Sequence, residues 1–174
     1  MIAEKWDILD EKGIPTGKQT LRGQTFLKNG EYHLVVHIWI VSSDNKFLIQ
    51  RRSESKKLMP GEWAATGGAA VSGEDSFTAA HRELFEELGI DSNRLSLKKL
   101  FRIKRRNSLL DVWFIETDKN VNELNLQKSE VAEAKWVTFD TLNEMIKNGE
   151  FHNYGEDYFS KVFTEIENLK GVTV

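Results

Sequence analysis

Cysteine is absent from this chain of 174 residues, and its absence removes several kinds of chemistry. Without a thiol there can be no disulfide, no thiolate ligand for a metal and no cysteine nucleophile. A chain without cysteine is also compatible with a reducing compartment. Any metal that the protein binds must therefore be held by oxygen or histidine ligands.

Long apolar segments and an excess of basic residues are missing as well. No run of about 18 apolar residues, the length of a membrane-spanning helix, occurs in the sequence. The opening residues, MIAEKWDILDEKG, lack the basic start and apolar stretch of a secretory signal. The formal net charge of −3 gives no basic excess for binding duplex nucleic acid. We expect a cytoplasmic protein that binds neither membranes nor duplex nucleic acid and acts on a small molecule.

The sequence also lacks repeats, low-complexity tracts and linkers. With 174 residues, of which 40% are hydrophobic and 29% charged, the chain suits one well-packed domain and is short for two. We expect a single domain over residues 1–174, in which residues 1–32 form an irregular leader packed on the rest. Residues 6–10 could form a short strand there, interrupted by Gly13, Pro15 and Gly17. The sequence leaves a homodimer open.

Most predicted elements come from hydrophobic patterning. The nearly continuous apolar segment HLVVHIWIV at 33–41 predicts a central strand covered on both faces. Its His33 and His37 are interpreted as strand residues satisfied by packing, with metal binding as the alternative. Further predicted elements are a turn at 42–45, a strand at 46–50, a hairpin of 97–106 with 109–117, a strand at 134–137 and helices at 138–147 and 156–169.

The most informative segment is 68–90, GAAVSGEDSFTAAHRELFEELGI. Asp75 or Ser76 can cap a helix of about three and a half turns that ends at Gly89. At 100° per residue, the helix has two distinct sides. The predicted core side holds Phe77, His81, Leu84, Phe85 and Leu88, and the acidic side holds Glu83, Glu86 and Glu87. Ala79 and Ser76 lie one and two turns before Glu83, where small side chains would leave room for a phosphate.

The three carboxylates are spaced i, i+3, i+4, so each like-charge pair costs roughly 0.2–0.5 kcal/mol. They also lie in the C-terminal half of the helix, where the helix dipole disfavours anions. A bound hard cation would reverse this cost, because Mg²⁺ and Mn²⁺ prefer carboxylate oxygens. A solvated acidic face is the alternative for these three residues taken alone.

The wider spacing resembles the box of the Nudix hydrolase family. Five residues separate Gly68 from Glu74, seven separate Glu74 from Arg82, and Gly89 and Ile90 close the motif. The resemblance implies an α/β fold, an α/β/α sandwich around a mixed sheet, and hydrolysis of a diphosphate linked to another group with Mg²⁺ or Mn²⁺. Glu83, Glu86 and Glu87 match the metal-binding and catalytic carboxylates, without identifying the general base. Arg82 and Glu74 match positions that hold the loop and helix in place, and the family often places a further carboxylate where Glu130 or Glu133 stands.

A second resemblance concerns substrate binding. The segment 50–63, QRRSESKKLMPGEW, is similar to the diphosphate-binding segment of isopentenyl diphosphate isomerases, with Arg52 and Lys56 as the matching cations. We expect Arg52, Lys56 and the close-approach glycines Gly67 and Gly68 to bind substrate, although such cations can also be solvated surface charges. In the same alignment Gly67 and Ala69 stand where the isomerases have their catalytic cysteine and a metal-binding histidine. An isomerase-like enzyme and a non-catalytic nucleotide-binding module are therefore the weaker alternatives to a hydrolase.

Overall fold

The computed structural model describes residues 4–23, 27–92 and 96–171. Within these ranges the chain forms nine strands, three α-helices and a short 3-10 helix at Val121–Glu123. The strands are β1 (Lys5–Leu9), β2 (Pro15–Leu21), β3 (His33–Val41), β4 (Phe47–Arg52), β5 (Trp63–Ala64), β6 (Thr66–Ala69), β7 (Leu97–Lys104), β8 (Ser108–Glu116) and β9 (Val131–Val137). The helices are α1 (Ser76–Leu88), α2 (Phe139–Lys147) and α3 (Glu156–Lys170). None of these helices has the length and apolar character needed to cross a bilayer.

The central sheet is mixed, as expected. Its main path runs β5-β4-β3-β8-β7, while β6 pairs with β3 and β9 pairs with β4. Strand β3 is parallel to β8 and antiparallel to β4 and β6. Helix α1 packs with Val36, Ile38 and Ile40 on one face, whereas α2 and α3 pack with Trp39 and Val41 on the other. The α/β/α sandwich and the central, doubly covered position of β3 are therefore confirmed.

The short strand suggested at 6–10 is confirmed as β1, but the prediction that the rest of the leader is irregular is wrong for the residues that the structure describes. Strands β1 and β2 form an antiparallel hairpin that is a separate two-stranded sheet. Pro15 begins β2, a position where a missing N–H is tolerated, and Gly17 lies within the strand. Asp7 of β1 accepts hydrogen bonds from Ser72 Oγ (2.7 Å) and Gly73 N (2.8 Å), which fastens the hairpin to the loop before α1. Residues 1–3 and 24–26 of the predicted leader lie outside the described ranges, and the single domain stays a prediction.

Helix α1 has the predicted ends but a different buried side. The Asp75 carboxylate accepts from Thr78 N (2.7 Å), and Gly89 adopts the left-handed conformation with φ 66°. Phe85, predicted to be in the core, is 59% exposed. Ala79 is instead fully buried and Ser76 Oγ accepts from Trp113 Nε1 (2.9 Å), so neither leaves room for a phosphate. The helix is rotated so that Ala79, Ala80, Glu83, Leu84, Glu87 and Leu88 face the sheet.

Candidate active site

A cleft of about 610 Å³ brings the predicted site residues together. It lies between α1, strands β3 and β6, the segment after β4 and the loop before β9. Among its lining residues are Glu83, Glu86, Glu87, Arg82, Arg52, Lys56, Gly67 and Gly68. Glu130 lines the same cleft, whereas Glu133 points elsewhere and pairs with Arg51 at 3.4 Å. Of the two additional carboxylates that the sequence suggested, the structure places only Glu130 with the box.

Glu87 is the most enclosed carboxylate of the cleft, with 3% exposure. Gln50 Nε2 donates to its Oε2 at 2.7 Å, and Gly67 N donates to the same oxygen at 3.4 Å. Burial, together with the nearby charge of Glu83, raises the pKa of Glu87 to about 8. The sequence reasoning missed Gln50, although a single polar residue within the buried strand segment FLIQ was a signal of a buried polar contact.

Glu83 lies beside the glycine strand β6. It is 9% exposed, and burial raises its pKa to about 6 even though Arg82 acts in the opposite direction. A Cβ atom at Gly68 would lie 2.2 Å from Glu83 Oε1, and one at Gly67 would lie 2.2 Å from the backbone oxygen of Val36. Both glycines therefore allow close packing against protein groups, and their binding of substrate stays a prediction. They achieve it as strand residues with no positive φ.

Arg82 connects the acidic side of α1 to the loop that precedes it. Its Nε and Nη2 donate to the two oxygens of Glu74 at 2.7 and 3.0 Å, and Nη2 also donates to Ala69 O at 3.0 Å. The remaining nitrogen, Nη1, donates to Glu83 Oε1 at 2.9 Å and to Glu86 Oε2 at 3.0 Å. These bonds hold loop and helix together, as expected from the resemblance. They also give two of the three clustered carboxylates a cationic partner.

The carboxylates fit a hard divalent cation in chemistry but are not yet arranged around one. Over residues 4–23, 27–92 and 96–171, no three acidic or histidine side chains form a ready-made metal-binding group. Arg82 Nη1 bridges Glu83 and Glu86, while Gln50 and Gly67 engage Glu87 Oε2. The donor set is entirely oxygen, and burial makes the ionised forms of Glu83 and Glu87 costly without a further cation. Arg82 Nη1 engages one oxygen of Glu83 and one of Glu86, and within the described residues the second oxygen of each carboxylate has no hydrogen-bond partner.

The two predicted phosphate-binding cations lie at the end of β4 and in the segment that follows it. Arg52 Nε donates to Leu58 O at 3.2 Å, and within the described residues its other two guanidinium nitrogens have no partner. Lys56 is largely buried and pairs with Glu130 Oε2. Both cations line the cleft. Lys56 is thus not a solvated surface charge, and Arg52 presents free donors to a ligand.

Several further residues of the cleft were not identified from the sequence. Trp6 of the hairpin stacks on His33 with ring centroids 4.1 Å apart, and His37 lies 4.6 Å from the ring of Tyr154. His152 Nδ1 lies 2.7 Å from Glu62 Oε2, at hydrogen-bonding distance. These groups come from β1, β3 and the segment after α2, so no local pattern brings them together. The packing interpretation of His33 and His37 agrees with these contacts.

Comparisons with known proteins agree with this geometry. Residues 31–156 match the NUDIX domain family. An uncharacterized Nudix hydrolase of Listeria monocytogenes is 38% identical over 171 residues, covering 98% of this chain and 97% of that protein. An isopentenyl-diphosphate Delta-isomerase of Pectobacterium atrosepticum is 30% identical over 147 residues, covering 79% of this chain and 78% of that enzyme. A crystal structure of a Deinococcus radiodurans protein aligns with a TM-score of 0.73 at 27% identity, covering 86% of this chain and 93% of that chain.

The contrast between the two β6 glycines yields a prediction. Gly68→Ala should displace the end of the Glu83 side chain, which can rotate, and weaken Mn²⁺ binding about tenfold or more at little cost in stability. Gly67→Ala should instead press on the backbone of β3 and lower the free energy of unfolding by about 1–3 kcal/mol. Chemical denaturation and calorimetric titration with Mn²⁺ measure both effects. A Gly68→Ala protein with normal Mn²⁺ affinity, or a fully stable Gly67→Ala protein, would contradict this account.

Burial of Glu87 predicts a pH dependence of stability in metal-free protein. Because its pKa is raised from 4.5 to about 8, the folded state retains a proton that the unfolded state releases. The contribution of this retained proton to the free energy of unfolding is fully present below about pH 4.5 and is lost as pH rises through about 8. Unfolding measured in chelator at several pH values should therefore show a decline that Glu87→Gln reduces, while the smaller part due to Glu83 remains. The exposed-carboxylate variant Glu133→Gln is the control, and an unchanged decline in Glu87→Gln would refute the assignment.

Proposed function

Since the chain belongs to the Nudix family and is a Nudix hydrolase, we propose that it uses Mg²⁺ or Mn²⁺ to hydrolyse a diphosphate linked to another group. The observation that carries this proposal is the convergence of box carboxylates with two phosphate-binding cations in one cleft. Glu83, Glu86 and Glu87 supply oxygen ligands, and Arg52 and Lys56 supply positive charge.

The contacts of the cleft residues suggest a role for each of them. A bound divalent cation would neutralise phosphate oxygens and lower the pKa of a water molecule. Glu83, Glu86 and Glu87 would hold the metal, while Arg52 uses its two free guanidinium nitrogens to grip the phosphates. Water then attacks phosphorus, the bridging P–O bond breaks, and a nearby carboxylate accepts the proton. Gln50 and Gly67 direct Glu87 by occupying one of its oxygens, which leaves the other for this chemistry.

The relation to isopentenyl diphosphate isomerases supports the phosphate-binding side of the cleft rather than isomerisation. Arg52 and Lys56 line the cleft as the similar segment implies. Gly67 and Ala69, however, present no thiol and no imidazole where the isomerases use a cysteine and a histidine. The remaining alternative, a binding module without catalysis, predicts affinity without turnover.

The test of the proposed function is hydrolysis of a compound panel with and without metal. The panel holds nucleoside diphosphate sugars, dinucleotides, free nucleoside di- and triphosphates and non-nucleotide diphosphates. Turnover should disappear in excess chelator and return with Mg²⁺ or Mn²⁺, and Glu86→Gln and Glu87→Gln should lose it while staying folded. Undiminished hydrolysis in chelator, binding without any turnover, or fully active Gln variants would overturn the proposal.

The phosphate-binding role of the cations gives a separate prediction. Arg52→Ala should lower kcat/KM about 10- to 100-fold on the best substrate, the loss expected for hydrogen bonds to a charged group. Lys56→Ala should lower it less, because an ammonium lacks the bidentate grip of a guanidinium. The loss appears in KM if the contact is equal in the ground and transition states, and in kcat if it strengthens during reaction.

Lys57→Ala is the matched control, because Lys57 is an exposed neighbour outside the cleft. It should leave both constants within about twofold of the wild type, less than the effect of one lost charged contact. Values in that range for Arg52→Ala and Lys56→Ala as well would mean that the two cations do not contact phosphate.

A further inference from the structure

His37 occupies a position in the cleft that the proposed reaction does not use. It lies on β3 directly opposite Gly67 of β6, and only 9% of it is exposed. Its side chain nevertheless lines the cleft and lies against the ring of Tyr154. A histidine that is mostly buried and still lines the cleft can present only a small part of its ring to a ligand.

The hydrogen bond of His37 Nδ1 with Tyr158 determines which ring nitrogen carries the proton. Trp39 Nε1 lies 3.0 Å from the hydroxyl of Tyr158, and His37 Nδ1 lies 2.9 Å from the same oxygen. The indole nitrogen can only donate, so the Tyr158 oxygen is its acceptor. The Tyr158 proton then needs an acceptor, and His37 Nδ1 is the one that the described residues provide. Nδ1 is therefore unprotonated, and neutral His37 carries its proton on Nε2.

The Nε2–H group is a free and fixed donor. Within the described part of the chain it has no hydrogen-bond partner, and it is not sealed from solvent as His33 Nδ1 is. Burial lowers the pKa of His37 to about 3, with smaller contributions from Arg105 and His152, so the ring stays neutral at working pH. The cleft thus contains an uncharged N–H donor whose direction is set by two residues of the core.

His37 pairs with Gly67, but by strand alternation its side chain lies on the face of β3 that carries Trp39, whereas the box carboxylates come from α1 on the other face. Tyr154 lines the same cleft, and its ring lies 4.6 Å from that of His37. A substrate whose diphosphate lies at the carboxylates would therefore extend its attached group across Tyr154 towards His37.

We propose that His37 is a specificity-determining residue that donates a hydrogen bond from Nε2 to an uncharged acceptor in the group attached to the diphosphate. The acceptor would be a carbonyl, hydroxyl or ring atom of a polar group packed against Tyr154. A hydrocarbon such as an isopentenyl chain has no such atom and leaves the donor unpaired. This inference rests on the proposed function and makes its substrate class narrower.

The protonation state is tested first in the wild-type protein, without any substrate. Long-range proton–nitrogen NMR of histidine-labelled protein at pH 7 should show the His37 ring neutral, with its proton on Nε2. Tyr158→Phe removes the hydroxyl that fixes Nδ1 and should produce a mixture of both neutral tautomers. A proton on Nδ1 or a charged ring in the wild type would overturn the proposal, whatever the enzyme hydrolyses.

Kinetics then test the contact itself. On the best substrate with a polar attached group, His37→Phe should lower kcat/KM about 3- to 10-fold, the effect of one neutral hydrogen bond. Inhibition by inorganic pyrophosphate, which lacks an attached group, should stay within about twofold of the wild type because no hydrogen bond is lost. His81→Phe on α1, outside the cleft, is the matched control. The kcat/KM of Tyr158→Phe should lie between those of the wild type and His37→Phe. If His37→Phe does not fold, Tyr158→Phe serves as the test variant.

The outcomes separate this inference from the proposed function. Unchanged kcat/KM in folded His37→Phe, with hydrolysis intact, rejects the contact and leaves the hydrolase proposal standing. An equal loss for substrate and pyrophosphate means that His37 acts on the phosphate side, which also rejects it. If no compound in the panel is hydrolysed, the proposed function fails. The donor role of His37 is then tested by titrating the wild type with ADP-ribose, a diphosphate with polar attached groups. A shift of the His37 Nε2 resonance supports the donor role, and the absence of a shift rejects it.

Discussion

The Arg82 guanidinium is the interaction on which the geometry of this cleft depends. Glu83, Glu86 and Glu87 repel one another along a single helix, and two of them are nearly buried. Arg82 compensates by giving one nitrogen to Glu83 and Glu86 while its other two grip Glu74. Because the grip on Glu74 is bidentate, Arg82 can keep loop and helix together even when the first nitrogen releases its carboxylates. Arg82 Nη1 contacts only one oxygen of Glu83 and one of Glu86, so a divalent cation could share these carboxylates with it.

The glycine strand supplies the second requirement, which is space. Strand β6 pairs with β3 through Gly67 and Gly68, and neither position has room for a Cβ atom. The volume that a side chain would take is filled by the Glu83 carboxylate and by the backbone of β3. This arrangement explains why α1 turns Glu83 and Glu87 towards the sheet and Phe85 towards solvent. Carboxylates of this kind are brought out of water by the fold, and their raised pKa values are the consequence.

Sequence reasoning succeeded where the signal is local. The ends of α1, the continuous apolar run of β3 and the spacing of the box each lie within one continuous segment of the chain. It failed where the answer depends on tertiary contacts. Pro15 and Gly17 suggested an interrupted leader, but pairing with β1 accommodates both in a strand. The contact of Gln50 with Glu87 joins β4 to α1, which are distant in the sequence, so no local spacing of residues predicts it.

The same distinction divides the cleft into two halves with different origins. The carboxylate half comes mainly from one continuous motif, which is why the reaction type can be read from the sequence. The other half is assembled from β1, β3 and the segment around Tyr154, and Trp6 lies outside the residues that match the family. The residues of this half come from separate segments, so a substitution at one of them need not alter the acidic helix. Substrate choice in this chain should therefore depend on the orientation of groups such as His37, whose donor direction is fixed by Trp39 and Tyr158 in the core.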